Sequence, residues 1–281
     1  MADFEHQGVV PPHGLPKFDR WVVVEGLSQS CKNFGVIIFA IFLHFSISSL
    51  FNLVQIDQQY MQQLYNDSKV RYIVLETIFL VVGYFAVVPV LMATHVSLIT
   101  GISNWAAVTS KPFKEWDRFV GVIVFWVIGA SLIFAAPKFW TSFLATAFSI
   151  SVFIIFSTFI ATWMPAIIYG EKDSLHRVIA RGKKTFWYVF SRLTLFVLFA
   201  LLVSAAAMVI LMPIIRIVLP TVQDPEAIIL MVNNVGNAVI TSCLVPILSV
   251  ICVRAYILGE ARLTGSSDWE RVETDITKEV D

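Results

Sequence analysis

Three groups of side chains in this chain carry the functional groups that chemistry needs. His44 and His95 stand inside long apolar runs, and Asn233 and Asn237 share one face of another such run. Arg177, Arg181, Lys183 and Lys184 sit between two runs. Two imidazoles facing one another in a bundle are the pattern of haem ligation or of a proton relay. These two fall at different depths, His44 midway along its run and His95 near the inner end of the next. No second pair completes a two-haem bundle, so interhelical hydrogen bonding is the expected use. Amide oxygens at Asn233 and Asn237, with Asn234 adjacent and Gly236 letting a neighbour approach, suit coordination of a substrate or cation, and equally suit gluing one helix to another. The four cations are expected to meet lipid phosphate.

The cation-bearing stretch, Tyr169 to Arg192, reads as a helix. Leu175, Val178, Ile179, Gly182 and Phe186 recur along one face, and Arg177, Arg181 and Lys184 share another. Trp187 and Tyr188 close it, and Asp173 or Ser174 is placed to cap its start. An apolar stripe opposed by cations is the form of a helix lying in the headgroup layer. The alternative is a charged loop that only holds orientation.

Other chemistry lacks its residues. Cys31 stands alone, and Cys243 and Cys252, nine apart, point to opposite sides of one helix, so neither a zinc site nor a disulfide framework is expected. No Walker loop, GxSxG elbow, HExxH pair, CxxC pair or dinucleotide fingerprint occurs, and no apolar run holds a pair of carboxylates. The expectation is a protein that is not an enzyme and has no cofactor or metal. A formal net charge of zero removes the basic field a nucleic-acid partner requires.

The elements that must position these groups are membrane helices. The chain of 281 residues is 57% hydrophobic and 14% charged, with its apolar residues in blocks. Six runs approach or exceed the roughly 20 residues a helix needs to cross a bilayer: Phe34 to Val54, Ile73 to Thr100, Phe119 to Ala136, Phe139 to Tyr169, Leu193 to Ile215 and Ala227 to Val253. Short turns are expected after the odd runs, and the long fourth run is expected to tilt or to extend past the bilayer surface. Lys and Arg number 16 on the side holding both termini and 4 on the other, which predicts cytoplasmic termini. Arg216, Arg254 and Glu76 lie near run ends and are expected to reach the interface unaided.

The domain reading is a cytoplasmic segment with a surface helix over residues 1–32, a six-helix transmembrane domain over 33–263 and an acidic tail over 264–281. Residues 1–32 lack a secretory signal's core and cleavage site, so the first span is expected to serve as an uncleaved anchor. The tail holds six acids against Arg271 and Lys278. Ser267 and Glu270 have capping-box spacing, and Trp269, Val272 and Ile276 form a stripe. It is expected to dock on basic residues of the 172–184 loop.

The chain also repeats. Trp21-x-x-Val24, Trp105-x-x-Val108 and Leu175-x-x-Val178 precede runs one, three and five, and Trp269-x-x-Val272 follows run six. The even runs close on Gly101, Gly170 and Gly259, with Glu171 and Glu260 after the last two. The fold expected is an all-α integral membrane bundle of six helices, built from three repeated hairpins with cytoplasmic amphipathic interfacial helices.

The segments Leu175 to Phe186 and Ala255 to Glu260 give most of the chain a likeness to six-helix bacterial membrane proteins. It resembles the YciC-like family and the membrane domain attached to some glycerophosphodiester phosphodiesterases. The resemblance implies a bacterial inner-membrane module without phosphodiesterase activity and supplies no catalytic residues. The function expected is a non-enzymatic organiser or stabiliser of the cell envelope, whose partners are membrane lipids and another membrane protein or a second copy. The alternative is a small transporter or permease subunit that uses kinks at Pro89 and Pro246 and the Asn233 to Asn237 face.

Overall fold

The computed structural model describes residues 22–53, 58–109, 116–139, 143–169, 175–218 and 225–264. Trp21, Asp173, Ser174 and the acidic tail beyond Thr264 lie outside the described residues. So do the side chains of Arg216, Asn233, Asn234 and Asn237, although all four fall on described helices.

Every element among the described residues is a helix. The first apolar run forms α2 (Phe34–Leu53), preceded by α1 (Val22–Lys32), and the two meet at 84° around Asn33. The second run forms α4 (Lys69–Phe85) and α5 (Val88–Thr100), bent by 46°. Pro89 explains that break. It has no N–H to give the preceding turn, and its ring crowds the carbonyl four residues back. The turn tightens instead, the Ala86 N–H donating to the Gly83 carbonyl at 3.1 Å and the Val87 N–H to that of Tyr84 at 3.0 Å. Pro165 stands in α9 (Trp163–Ile168), after a two-residue interruption that ends α8 (Phe143–Ile160) but leaves Leu144–Ile168 one span.

The remaining long helices are continuous. They are α7 (Trp116–Phe139), α10 (Leu175–Val218) and α11 (Pro225–Thr264), and Pro246 sits inside α11 without interrupting it. Four stretches, Trp116–Ala135, Leu144–Ile168, Leu175–Ala207 and Ala238–Thr264, are long and apolar enough to cross a membrane. The number rises to six if each bent pair is one span.

Two elements differ from expectation. The connection after α2 contains α3 (Gln58–Asp67) rather than a short turn. Its Tyr65 ring packs edge-on against Tyr72 of α4 at 5.3 Å. The helices preceding the spans also differ among themselves: α1 and α6 (Trp105–Thr109) are separate, whereas Leu175 to Phe186 continues straight into α10.

The architecture centres on α11, which packs on α1, α2, α5, α9 and α10. Val250, Val253 and Ile257 meet Leu98 and Ala166 on one side, and Ile251 and Ala255 meet Val189 and Leu193 on another. A separate core joins α2, α5 and α7 through Val36, Ala40, Met92, Phe119 and Ile123. Large apolar side chains also cover the outside: Phe34, Ile38 and Phe42 on α2, Leu132 on α7, Leu144 and Phe148 on α8, and Leu198 to Ile210 on α10. That is the surface expected of helices solvated by lipid.

Candidate functional site

Glycine sets how closely the helices meet at the end of the bundle where α1, the start of α10 and the end of α11 converge. A Cβ at Gly26 would lie 2.8 Å from the Ile247 Cα, one at Gly182 would lie 2.9 Å from the Phe159 Cα, and one at Gly259 would lie 3.0 Å from the Arg181 Cβ. At Gly26 and Gly182 only a hydrogen fits against the facing backbone, and at Gly259 a methyl would push on the Arg181 side chain. The backbones are therefore close enough for side chains of opposite charge to meet across them.

Two buried charge clusters result. Arg254 of α11, fully buried, donates through Nη2 to Oε2 of Glu25 on α1 at 2.7 Å. Glu260 of α11 accepts at both carboxylate oxygens, from Arg181 Nη1 and Arg177 Nη2, each at 2.8 Å. Arg181 is fully buried and Arg177 about one-third exposed. The Arg181 guanidinium also lies 4.9 Å from the centroid of the Tyr256 ring, which stacks on Tyr169 at 4.8 Å. Breaking a buried pair by deleting one partner strands the other charge in a medium that solvates it poorly. Glu25 and Glu260 thus add charge pairing to the packing of α1 and α10 on α11.

Neutral polar groups extend the seam along α1. Gln29 accepts from the Ser97 hydroxyl at 2.8 Å, and Asn33 accepts the Asn104 backbone N–H at 2.7 Å. Asn104 has φ 60°, and Gly101, at φ 76°, turns the chain so that α5 ends there. Buried Glu25, Gln29 and Asn33 recur every fourth residue, while Val24 and Leu27 are half exposed on the other side. The helix thus turns a polar stripe against protein, while Val24 and Leu27 stand outward with Ser28 and Lys32.

The four predicted headgroup contacts therefore divide. Lys183 and Lys184 are exposed and Arg177 partly so, but Arg181 faces inward beside Val178, Gly182, Thr185 and Val189. The reading of Arg181 as a headgroup contact is corrected, because Glu260 and the close approach at Gly259 take it into the protein. The same holds for Arg254, expected to reach the interface and found buried on Glu25. Glu76 accepts a long hydrogen bond from the Tyr72 hydroxyl at 3.5 Å.

The structure draws no hydrogen bond between the two histidines. His95 is buried, and its Nδ1 donates to the carbonyl of Leu91 in its own helix at 2.7 Å, since a carbonyl can only accept. Its ring packs edge-on against Phe119 of α7 at 5.8 Å. The Nδ1 of His44 is buried without a hydrogen-bond partner. No cluster of three His, Cys, Asp or Glu able to hold a metal occurs among the described residues. Beside the α4–α5 break, a shallow cleft lined by Val81, Tyr84, Phe85, Val88, Ile123 and Val127 is apolar and leaves no room for a water molecule.

No protein-family model, curated protein or solved structure matches the chain. The resemblance carried by Leu175 to Phe186 and Ala255 to Glu260 thus stands on those residues alone.

Single-residue reading missed Glu25, Gln29, Asn33 and the roles of Arg254 and Glu260. A stripe of Glu25, Gln29 and Asn33 at i, i+4 and i+8, along a helix that opens with three valines, was the available signal for the first three. The repeated Gly-Glu at the close of the even runs was the signal for Glu260.

Proposed function

We propose that this chain is a non-enzymatic multi-pass protein of a bacterial inner membrane, with both termini cytoplasmic, that organises or stabilises the envelope through lipid and protein contacts. One observation carries this reading most directly. The apolar window of the Leu175–Ala207 span is only 11% buried, against 67% for that of Ala238–Thr264. Leu198, Leu201, Leu202, Val209 and Ile210 project from the far half of α10, a broad apolar surface offered to lipid or to another membrane helix. The orientation rests on the excess of Lys and Arg at the end holding both termini. Arg177, Lys183 and Lys184 stand there as the contacts for lipid phosphate.

Extraction into lipid discs without detergent, followed by native mass spectrometry, tests the proposal. A protein bound in fixed ratio, or anionic lipid retained and then lost in Lys183→Gln/Lys184→Gln, is the expected result. A lone chain that retains neither overturns it.

A second reading, a transporter or permease subunit, is favoured by the broken helix at Ala86–Val87, since interrupted spans build midplane sites in transporters. The apolar lining of the adjacent cleft supplies no groups for a polar solute. A stoichiometric solute released by Asn233→Ala/Asn237→Ala would establish this reading over the first. The pattern of α1 and α6 ahead of their hairpins supports three diverged repeats, the third having fused its leading helix to the span.

A further inference from the structure

The end of α11 meets the start of α10 at a cationic surface. Arg262, exposed two residues before the last residue of α11, donates through Nη1 to the Lys184 carbonyl at 2.8 Å. Lys183 and Lys184 are exposed beside it, and about two turns back stands the partly exposed Arg177. Arg177 and Arg181 both hold Glu260, which is buried between them. The surface therefore presents Arg177, Lys183, Lys184 and Arg262 within a few turns of two adjoining helices.

The chain leaves this surface at Thr264, and the 17 residues 265–281 that follow carry Asp268, Glu270, Glu273, Asp275, Glu279 and Asp281 against Arg271 and Lys278. A segment of that charge is repelled by anionic lipid. It is also tethered beside a cationic patch of opposite sign, where a short link keeps its effective concentration in the millimolar range. Glu260 already shows the geometry, a carboxylate of this helix end held by two arginines of α10.

We propose that residues 265–281 dock on the Arg177–Lys183–Lys184–Arg262 surface and compete there with lipid phosphate, so that the tail regulates lipid contact. The lipid arm rests on the reading of these cations as phosphate contacts; the tail arm does not.

The test uses the full chain in discs of zwitterionic phosphatidylcholine, with tryptic cleavage after Arg271 followed by the mass of the released fragment. Lys183→Gln/Lys184→Gln leaves the tail sequence, and hence its intrinsic cleavage, unchanged. Cleavage is expected to run about tenfold faster in that variant at low salt, since several exposed pairs are lost together. Raising salt to about 1 M, where screening reaches roughly 3 Å, should remove the protection of the parent chain. Equal rates in parent and variant overturn the docking.

The competition is read separately in discs containing phosphatidylglycerol, by native mass spectrometry of retained lipid. Asp268→Asn/Glu270→Gln/Glu273→Gln/Asp275→Asn should retain more. Retention that falls with the two lysines but ignores the tail overturns the competition and leaves the lipid contact standing. Retention that ignores both overturns the lipid contact, and the docking is then judged on cleavage alone.

Discussion

The two halves of α10 obey different rules. From Arg177 to Leu193 its inner face is closed against α8 and α11 by Val178, Arg181, Gly182, Thr185 and Val189. From Leu195 to Ile210 large apolar side chains stand outward, and little of the helix is covered. In water the second half would be the unstable one, but in lipid exposed leucine costs nothing and the driving force shifts to close packing and polar bonds between helices. The architecture is therefore held where it is charged and glycine-rich, and it is open to lipid or partners where it is most hydrophobic.

The strongest way to break that contrast is Glu260→Ala. It removes a carboxylate that holds both Arg177 and Arg181, and Arg181 is fully buried, so its charge loses a close counterion in a poor solvent. A loss of about 3–5 kcal/mol is expected, read as a collapse of the unfolding midpoint in mild detergent. Arg181→Met combined with Glu260→Leu should recover most of it, because both charges leave together. A double variant no better than Glu260→Ala would show that the pair matters for something other than charge balance.

Next in size is Gly26→Ala. The added methyl would meet the Ile247 side chain at 2.5 Å and its Cα at 2.8 Å, and backbone cannot yield as a side-chain tip does. A cost of about 1–3 kcal/mol is expected by the same unfolding measurement. Gly83→Ala, where no atom lies within 4 Å, is the matched control and should be neutral or slightly stabilising.

These two sites also mark where the sequence was legible. The six apolar runs fall on α2, α4–α5, α7, α8–α9, α10 and α11, because length and apolarity are local properties, but α10 begins well before its run at Leu175 and α11 continues well past its run to Thr264. The break at Pro89 was local too, since proline acts on its own helical turn. Glu25 and Arg254 are 229 residues apart, and Arg181 and Glu260 are 79 apart. No periodicity within one helix reports such partners, so Arg181 and Arg254 read as interfacial and are buried. A basic stripe on an amphipathic helix is the same string whether it faces phosphate or a glutamate on another helix. Local pattern also passed over α3, whose polar residues outnumber its apolar ones.

A smaller effect is expected midway along the bundle at Trp126→Phe. Trp126 Nε1 donates to the Ser157 hydroxyl at 3.0 Å, joining α7 to α8, and its ring lies edge-on to Tyr84 at 5.8 Å. Phenylalanine keeps most of the ring contact and loses the hydrogen bond, for about 1 kcal/mol in the same assay. A loss as large as that of Glu260→Ala would mean that the load is shared along the hairpin rather than concentrated at the charged end.

The smallest expected change is Leu202→Ala on the open half of α10. Leu202 is 69% exposed, so truncation opens no internal cavity and the isolated chain should stay within about 0.5 kcal/mol of the parent. Lipid replaces the lost side chain with contacts of the same kind. If that half instead packs on another membrane protein, the same substitution should lower the fraction of complex retained in lipid discs while leaving the unfolding midpoint in place. A drop in both would mean that the outer half of α10 is packed within the bundle, and the contrast between the two halves would fall.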